Sequence, residues 1–281
     1  MTFIIKLLIV NKLPFVSRFR YDICLKHCNM KLLHLTSALL FCLIAHAQLS
    51  PPGLGETHSA YWSAAGIRQK LNENNTSVTY VGTGRISGPQ DENPLDKPSI
   101  FVVNEEIYHK INPAWQYSYA LSYRRQHHYS HLVTNPSDAE IHQEYRAYAR
   151  LSHSTFFGDF KWKNTLRQEV RKFFNPEFGD ISNSLQLRTR LKTQISAGLD
   201  ATKTNSISAT AEALFSIAHD ATANWGDYEY KESRFCLYYT YKPKDIPVTF
   251  DLGYMNDLAG KGHEVIDANY IAFDIILENP F

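Results

Sequence analysis

The sequence predicts an all-β chain: an antiparallel up-and-down transmembrane β-barrel of about 10–12 strands. Three observations predict it. Long segments alternate apolar and polar residues with period two. Short and long connections between those segments take turns. A secretory leader stands near one end of the chain and a terminal Phe at the other.

Alternation marks strands because successive side chains of an extended backbone point to opposite faces. The first clear case is 76–86, with Val78, Tyr80, Gly82, Gly84 and Ile86 in phase. A strand near 99–110 follows, and 114–125 sets Trp115, Tyr117, Tyr119, Leu121 and Tyr123 against Gln116, Ser118, Ala120, Ser122 and Arg124. In 140–152, Ile141, Tyr145, Ala147, Ala149 and Leu151 take one face, and His142, Glu144, Arg146, Tyr148 and Arg150 the other. The next strand, 155–171, is imperfect in phase, since Asn164 and Gln168 share a face with Trp162 and Leu166. In 183–195, Leu185, Leu187, Leu191 and Ile195 oppose Gln186, Arg188, Arg190, Lys192 and Gln194. Strands near 206–219, 228–242, 247–256 and 264–279 complete the series. Most span 11 residues or more, whereas globular strands average about 5–6 and membrane-crossing strands need about 9–11.

Connections are long at 87–98, 126–139 and 172–182 and short at 111–113 and 153–154. The gap 196–205 shortens if its flanking strands extend; a loop at 220–227, a turn at 243–246 and a loop at 257–263 follow. Outer-membrane barrels pair short periplasmic turns with longer outside loops. Ten strands would put both chain ends on the periplasmic side. Tyr61–Leu71 complicates that count. Lys70-Leu71-Asn72 ahead of one strand echoes Lys110-Ile111-Asn112 ahead of another, which suggests an eleventh strand where bacterial barrels have even numbers.

Met30-Lys31, the apolar run Leu32–Ala45 and Ala45-His46-Ala47 form a secretory signal over 30–47, cleaved after Ala47. Residues 1–29 read as a start-site extension, or Phe3–Val10 as an apolar anchor of its own. Residues 48–75 are an N-terminal segment or first strand, and 76–281 the barrel. The whole chain has 29 Lys/Arg and 28 Asp/Glu; without residues 1–47 it keeps 23 and 27, a net −4. Neither balance suits a nucleic-acid binder. Only Cys236 of the four cysteines lies beyond Ala47, so no internal disulfide is expected.

Aromatic residues make up 13% of the chain. Tyr, Phe and Trp on the apolar phase would coat the barrel, with Tyr and Trp as interfacial girdles. The polar phase then lines the lumen with Arg124, His142, Glu144, Arg146, Arg150, Lys161, Lys163, Arg167, Glu169, Arg171, Arg188, Arg190 and Lys192. In a narrow barrel these pair across strands as a plugging ladder, or form a ring that favours anions. Phe281, after Phe273, Ile275 and Leu277 at alternate positions, reads as the assembly signal that closes the last strand, although Asn279 breaks the apolar phase. The expected partners are outer-membrane lipid and the barrel-assembly machinery, with the chain a monomer in a Gram-negative outer membrane.

Gln143-Glu144-Tyr145-Arg146, Lys161 to Arg171 and Leu185 to Leu191, together with the early Trp62, resemble the DUF2490 family over roughly 55–281. The resemblance implies an exported outer-membrane β-barrel of the kind frequent in Bacteroidetes. The family has no established activity, so it transfers no catalytic residue.

Catalytic patterns are sparse. Barrel lipases and deacylases place His and Ser two apart on one face so that imidazole activates hydroxyl. No proposed strand has that spacing, and His153-Ser154 would face opposite ways. His142-x-Glu144 shares a face and fits a lumen histidine beside a paired Glu better than a general base. His127, His128 and His131 lack a carboxylate or Cys at a metal-site spacing. Gly82-x-Gly84 opens no helix, so it is not a phosphate loop and instead relieves crowding in a curved wall. The expectation is a non-enzymatic barrel without a cofactor, structural or a narrow solute path. Its alternatives are a lipid- or lipopolysaccharide-modifying barrel enzyme, an anion-selective pore and a soluble lipocalin-like binder.

Overall fold

A computed structural model describes residues 57–88, 91–129, 139–219, 224–261 and 264–281. The readings of 1–29, of the leader 30–47 and of 48–56 lie outside the described residues. The described residues form eleven strands and no helix. In chain order these are β1 (Ser59–Lys70), β2 (Asn75–Ile86), β3 (Lys97–Lys110), β4 (Trp115–His128), β5 (Glu140–Phe157) and β6 (Phe160–Phe174). Then follow β7 (Asp180–Gly198), β8 (Asn205–His219), β9 (Glu229–Tyr241), β10 (Val248–Lys261) and β11 (Glu264–Glu278).

Each strand pairs antiparallel with the next, and β1 closes on β11 to complete the barrel. The segment Tyr61–Leu71 is therefore wall, as β1. The closing pair is parallel, in register from Ser59↔Asn269 to Arg68↔Glu278. Each hairpin reverses chain direction, so an odd number of strands makes the first and last run the same way. This corrects two expectations: the sheet is not wholly antiparallel, and Ser59 and Glu278 lie at opposite ends of the barrel. Arg68 Nη1 and Glu278 Oε1 pair across the seam at 2.5 Å.

The connections 71–74, 111–114, 158–159, 199–204 and 242–247 share one end of the barrel. The echo of Leu71-Asn72 and Ile111-Asn112 has a physical origin there. Asn72 Oδ1 accepts from the backbone N–H of Asn74 and Asn75 at 3.0 and 2.9 Å. Asn112 Oδ1 accepts from Ala114 and Trp115 at 2.9 and 2.8 Å. Both are side-chain-closed turns of the kind Asn favours. The turn at Gly158 has φ +58, a left-handed conformation that suits glycine. At the opposite end, 172–174, 180–182 and 257–261 are strand, leaving 175–179 as the connection between β6 and β7.

Apolar side chains on the outward phase form a belt, with Leu121 71% exposed and Tyr119, Tyr145, Leu191, Leu237 and Leu252 exposed around the wall. The aromatic residues are not all in that belt. Trp62, Tyr148, Tyr238 and Tyr270 are buried on the inward phase, because a barrel of this size must fill its interior with side chains. The sequence places Tyr148 on this phase but assigns the aromatic excess as a whole to the outer coat, which Trp62, Tyr238 and Tyr270 correct. Trp62, Val102, Tyr238, Met255 and Tyr270 belong to an apolar cluster along the seam side of the lumen. Two glycines make room for it. A Cβ on Gly82 would strike the Trp62 indole, and one on Gly253 the Tyr238 ring.

β11 stops at Glu278, before Phe281. Asn279 has φ +50, and Pro280 offers no N–H to a ladder. Phe281 is accordingly not a strand residue; it is 91% exposed. Its backbone N–H donates to Gln69 Oε1 at 3.1 Å, and its carbonyl accepts from Gln69 Nε2 at 2.8 Å.

Candidate functional site: the charged lumen

The remainder of the lumen is ionic. The pleat turns alternate residues of β5, β6 and β7 inward, and the antiparallel register stacks them into rows. Glu144 is fully buried and is the hub of one row. Its carboxylate accepts from Arg146 Nε at 2.6 Å and from Arg171 Nε and Nη2 at 2.8 and 2.7 Å. Arg171 also donates to Gln186. Glu169 is the second hub, contacted by Arg146 at 3.0 Å and by Arg167 and Arg190 at 2.7 Å each. Arg190 continues to Glu212 on β8 at 2.8 Å. Arg234 on β9 meets Glu212 at 4.0 Å, Asp257 on β10 at 3.4 Å, and Glu232.

On the other side, Arg150 reaches Glu106 of β3 at 3.4 Å. Tyr148 lies between two guanidiniums, with Arg167 at 3.6 Å and Arg150 at 5.0 Å from its ring centroid. Its hydroxyl donates to Glu106 at 2.8 Å. The result is a connected ladder from β3 to β10. Bidentate and shared contacts of this kind are the strong form of ion pairing. They also offset the large cost of taking both charges out of water.

Of the sequence-derived lumen set, Glu144, Arg146, Arg150, Arg167, Glu169, Arg171 and Arg190 are joined in this ladder. Arg124 is buried and Arg188 half-buried; among the described residues neither makes an ion pair, and the Nε of each is without a hydrogen-bond partner. Lys161, Lys163 and Lys192 line a cavity nearer the short-turn end. His142 does not join Glu144. Its Nε2 meets Glu140 Oε1 at 2.8 Å, and its ring packs on His128 at 4.5 Å. Glu140 precedes it on the same face, while the two arginines already occupy Glu144.

The sequence reading missed Glu106, Glu212, Glu232, Arg234 and Asp257 as ladder members. Their signal was present: Glu212 follows Ser208 and Thr210 in phase, and Arg234 is flanked by Ser233 and exposed Phe235. Glu212 is the one Asp, Glu, Lys or Arg side chain of β8, whereas Glu232 and Arg234 share β9 with Glu229 and Lys231, and neither setting ranks a charge as a ladder member without its cross-strand partner. Among the described residues, no group of three or more His, Cys, Asp or Glu is placed to hold a metal. His153 stacks on Trp115 at 4.7 Å, and His131 lies outside the described residues. Cys236 is buried and free.

The rows of Glu144, Arg146, Glu169, Arg171, Arg188 and Arg190 are the segments that carried the resemblance. The sequence model of the family described as "Protein of unknown function (DUF2490)" matches residues 59–264, from the first strand to the start of the last. The chain belongs to the DUF2490 family. No curated protein matches it. For this DUF2490 chain the family match and the barrel agree in extent: the matched residues take in β1 through β10.

Proposed function

We propose that this DUF2490 chain is a non-enzymatic outer-membrane barrel whose lumen is closed at mid-height by its Arg–Glu ladder. The observation that carries this reading is the burial of Glu144 and Glu169 between Arg146, Arg171 and Arg190, all of them nearly inaccessible to water. A connected ion-pair network across facing strands stiffens a barrel and blocks its bore. The apolar belt supports lipid contact, since soluble monomers rarely expose contiguous apolar patches of such extent. Strands of 12 to 19 residues are long enough to cross a hydrocarbon layer. In this reading the partners are lipid acyl chains and the machinery that inserts barrels, the protein acts as a monomer, and it needs no cofactor.

Two measurements test it. The protein should fractionate with outer membranes and change gel mobility on heating, and purified protein in planar bilayers should show no steady conductance. Recovery from the soluble periplasm would overturn the membrane assignment. A steady anion-selective current would replace the plugged barrel with a solute path.

A further inference from the structure

Beneath the ladder, toward the short-turn end, the lumen opens into a cavity of about 330 Å³. Its walls carry Arg150, Lys161, Lys163, Arg167, Lys192 and Lys242, and the lone carboxylate among its lining residues is Glu212. The ladder forms its roof, because Arg167 and Arg190 belong to both. Within the ladder, arginine charge is offset by carboxylates. Below it the balance fails. Among the described residues, Lys161, Lys163 and Lys242 make no ion pair with a carboxylate; Lys161 faces the Phe156 ring at 5.7 Å. Lys161 and Lys163 stand two apart on β6 and so point into the same space. Low-dielectric walls focus the field of such a cluster.

We propose that this vestibule is a binding site for a small organic phosphate that enters from the short-turn end. The charge, the size and the donors all point to this class. Three lysine amines without a carboxylate partner match a dianion or trianion, whose charge would favour their ammonium forms, better than a monocarboxylate. The volume falls within the range of small-molecule sites, roughly 300–1,000 Å³. Lysines supply point charges and the neighbouring arginines supply forked donors for phosphate oxygens. The inference goes beyond the plugged-barrel reading and does not depend on it, since the vestibule ends below the ladder whatever surrounds the barrel.

Calorimetric titration of the full chain in neutral detergent tests it, with glucose 6-phosphate as probe and glucose as the uncharged control. Glucose 6-phosphate should bind one per chain and weaken with added salt, and glucose should give no signal. Lys161→Ala with Lys163→Ala should weaken binding about tenfold or more. Lys244→Ala, in the 242–247 turn outside the cavity lining, should leave it unchanged. If the double variant loses the heat-modifiable folded form, Lys163→Met, which keeps the side-chain volume, should show the same direction. No binding of glucose 6-phosphate, or equal binding by wild type and the lysine variants, overturns the site. Binding of dihexanoyl phosphatidic acid without glucose 6-phosphate assigns the pocket to a lipid headgroup and overturns the soluble ligand.

Discussion

Trp62 on β1 donates its indole N–H to Asp274 Oδ1 on β11 at 3.0 Å, across the one parallel seam of the barrel. The two residues are 212 positions apart, and both are buried. The bond joins the apolar cluster to the barrel closure, because the same indole lies against Gly82 of β2. Trp62→Phe keeps a ring in that space and removes the donor. It should lower unfolding stability by about 1–3 kcal/mol, the cost of leaving a buried acceptor unmet. Urea titration of the heat-modifiable band measures this, and an unchanged midpoint would mean that the seam does not need the bond.

Asp251 and Asp274 face each other in register on β10 and β11, both buried. Like charges directly opposite destabilise a sheet. Asp251 accepts from Thr240, and Asp274 from Trp62. Asp251→Asn should therefore be neutral or raise the urea midpoint, the reverse of the usual effect of changing a buried polar group. A marked loss of stability would show that both carboxylates are required.

Glu144→Gln strips the charge from the ladder hub and leaves Arg146 and Arg171 without their shared carboxylate. Breaking a buried pair by removing one partner costs about 3–5 kcal/mol. The folded band should be lost at correspondingly lower urea. Glu140→Gln, which affects only the rim contact to His142, should shift it little, since exposed pairs contribute about 0–1 kcal/mol.

Gly253→Ala should destabilise by about 1–3 kcal/mol through overpacking against Tyr238. Tyr238→Leu in the same chain should recover part of that loss, because residues in contact are not additive. A double variant that simply sums the two single effects would contradict the close approach.

The 199–204 turn carries a pH prediction. The Thr202 hydroxyl donates to Asp200 Oδ1 at 2.6 Å, and the Thr204 and Asn205 backbone N–H groups donate at 3.1 and 2.7 Å. Led by the Thr202 bond, these contacts hold the carboxyl below the usual aspartate range. A group whose folded value is depressed stabilises the fold above its unfolded value and loses that contribution as pH falls through the folded one. The Asn205 amide should therefore still be protected from hydrogen exchange at about pH 4, where an ordinary aspartate is half protonated, and lose protection only well below that pH. Asp200→Ala should lack protection across the whole range.

Much of the wall was legible in residue order, and particular residues show why. Tyr117, Tyr119 and Leu121 are exposed outward, and Ser118, Ala120 and Ser122 are buried inward, as their alternation required. Asn72 and Asn112 closed turns that their shared neighbours had flagged. The lumen was legible as a charged face but not as a set of pairs. Glu144 went to Arg171, 27 residues away, and His142 went to Glu140. Phase separated Tyr145 on the exterior from Tyr148 inside, but it gave no sign that Tyr148 would pack against Arg150 and Arg167, since those contacts depend on register.

The residue order by itself determined that the chain forms long strands and which side chains share a face, because the two-residue period belongs to the backbone of each strand. The tertiary structure alone decided the parallel closure, the pairing of Arg234 with Asp257 and of Trp62 with Asp274, and the basic vestibule below the ladder. Those depend on strand parity, register and curvature, which bring distant segments together only when the sheet closes.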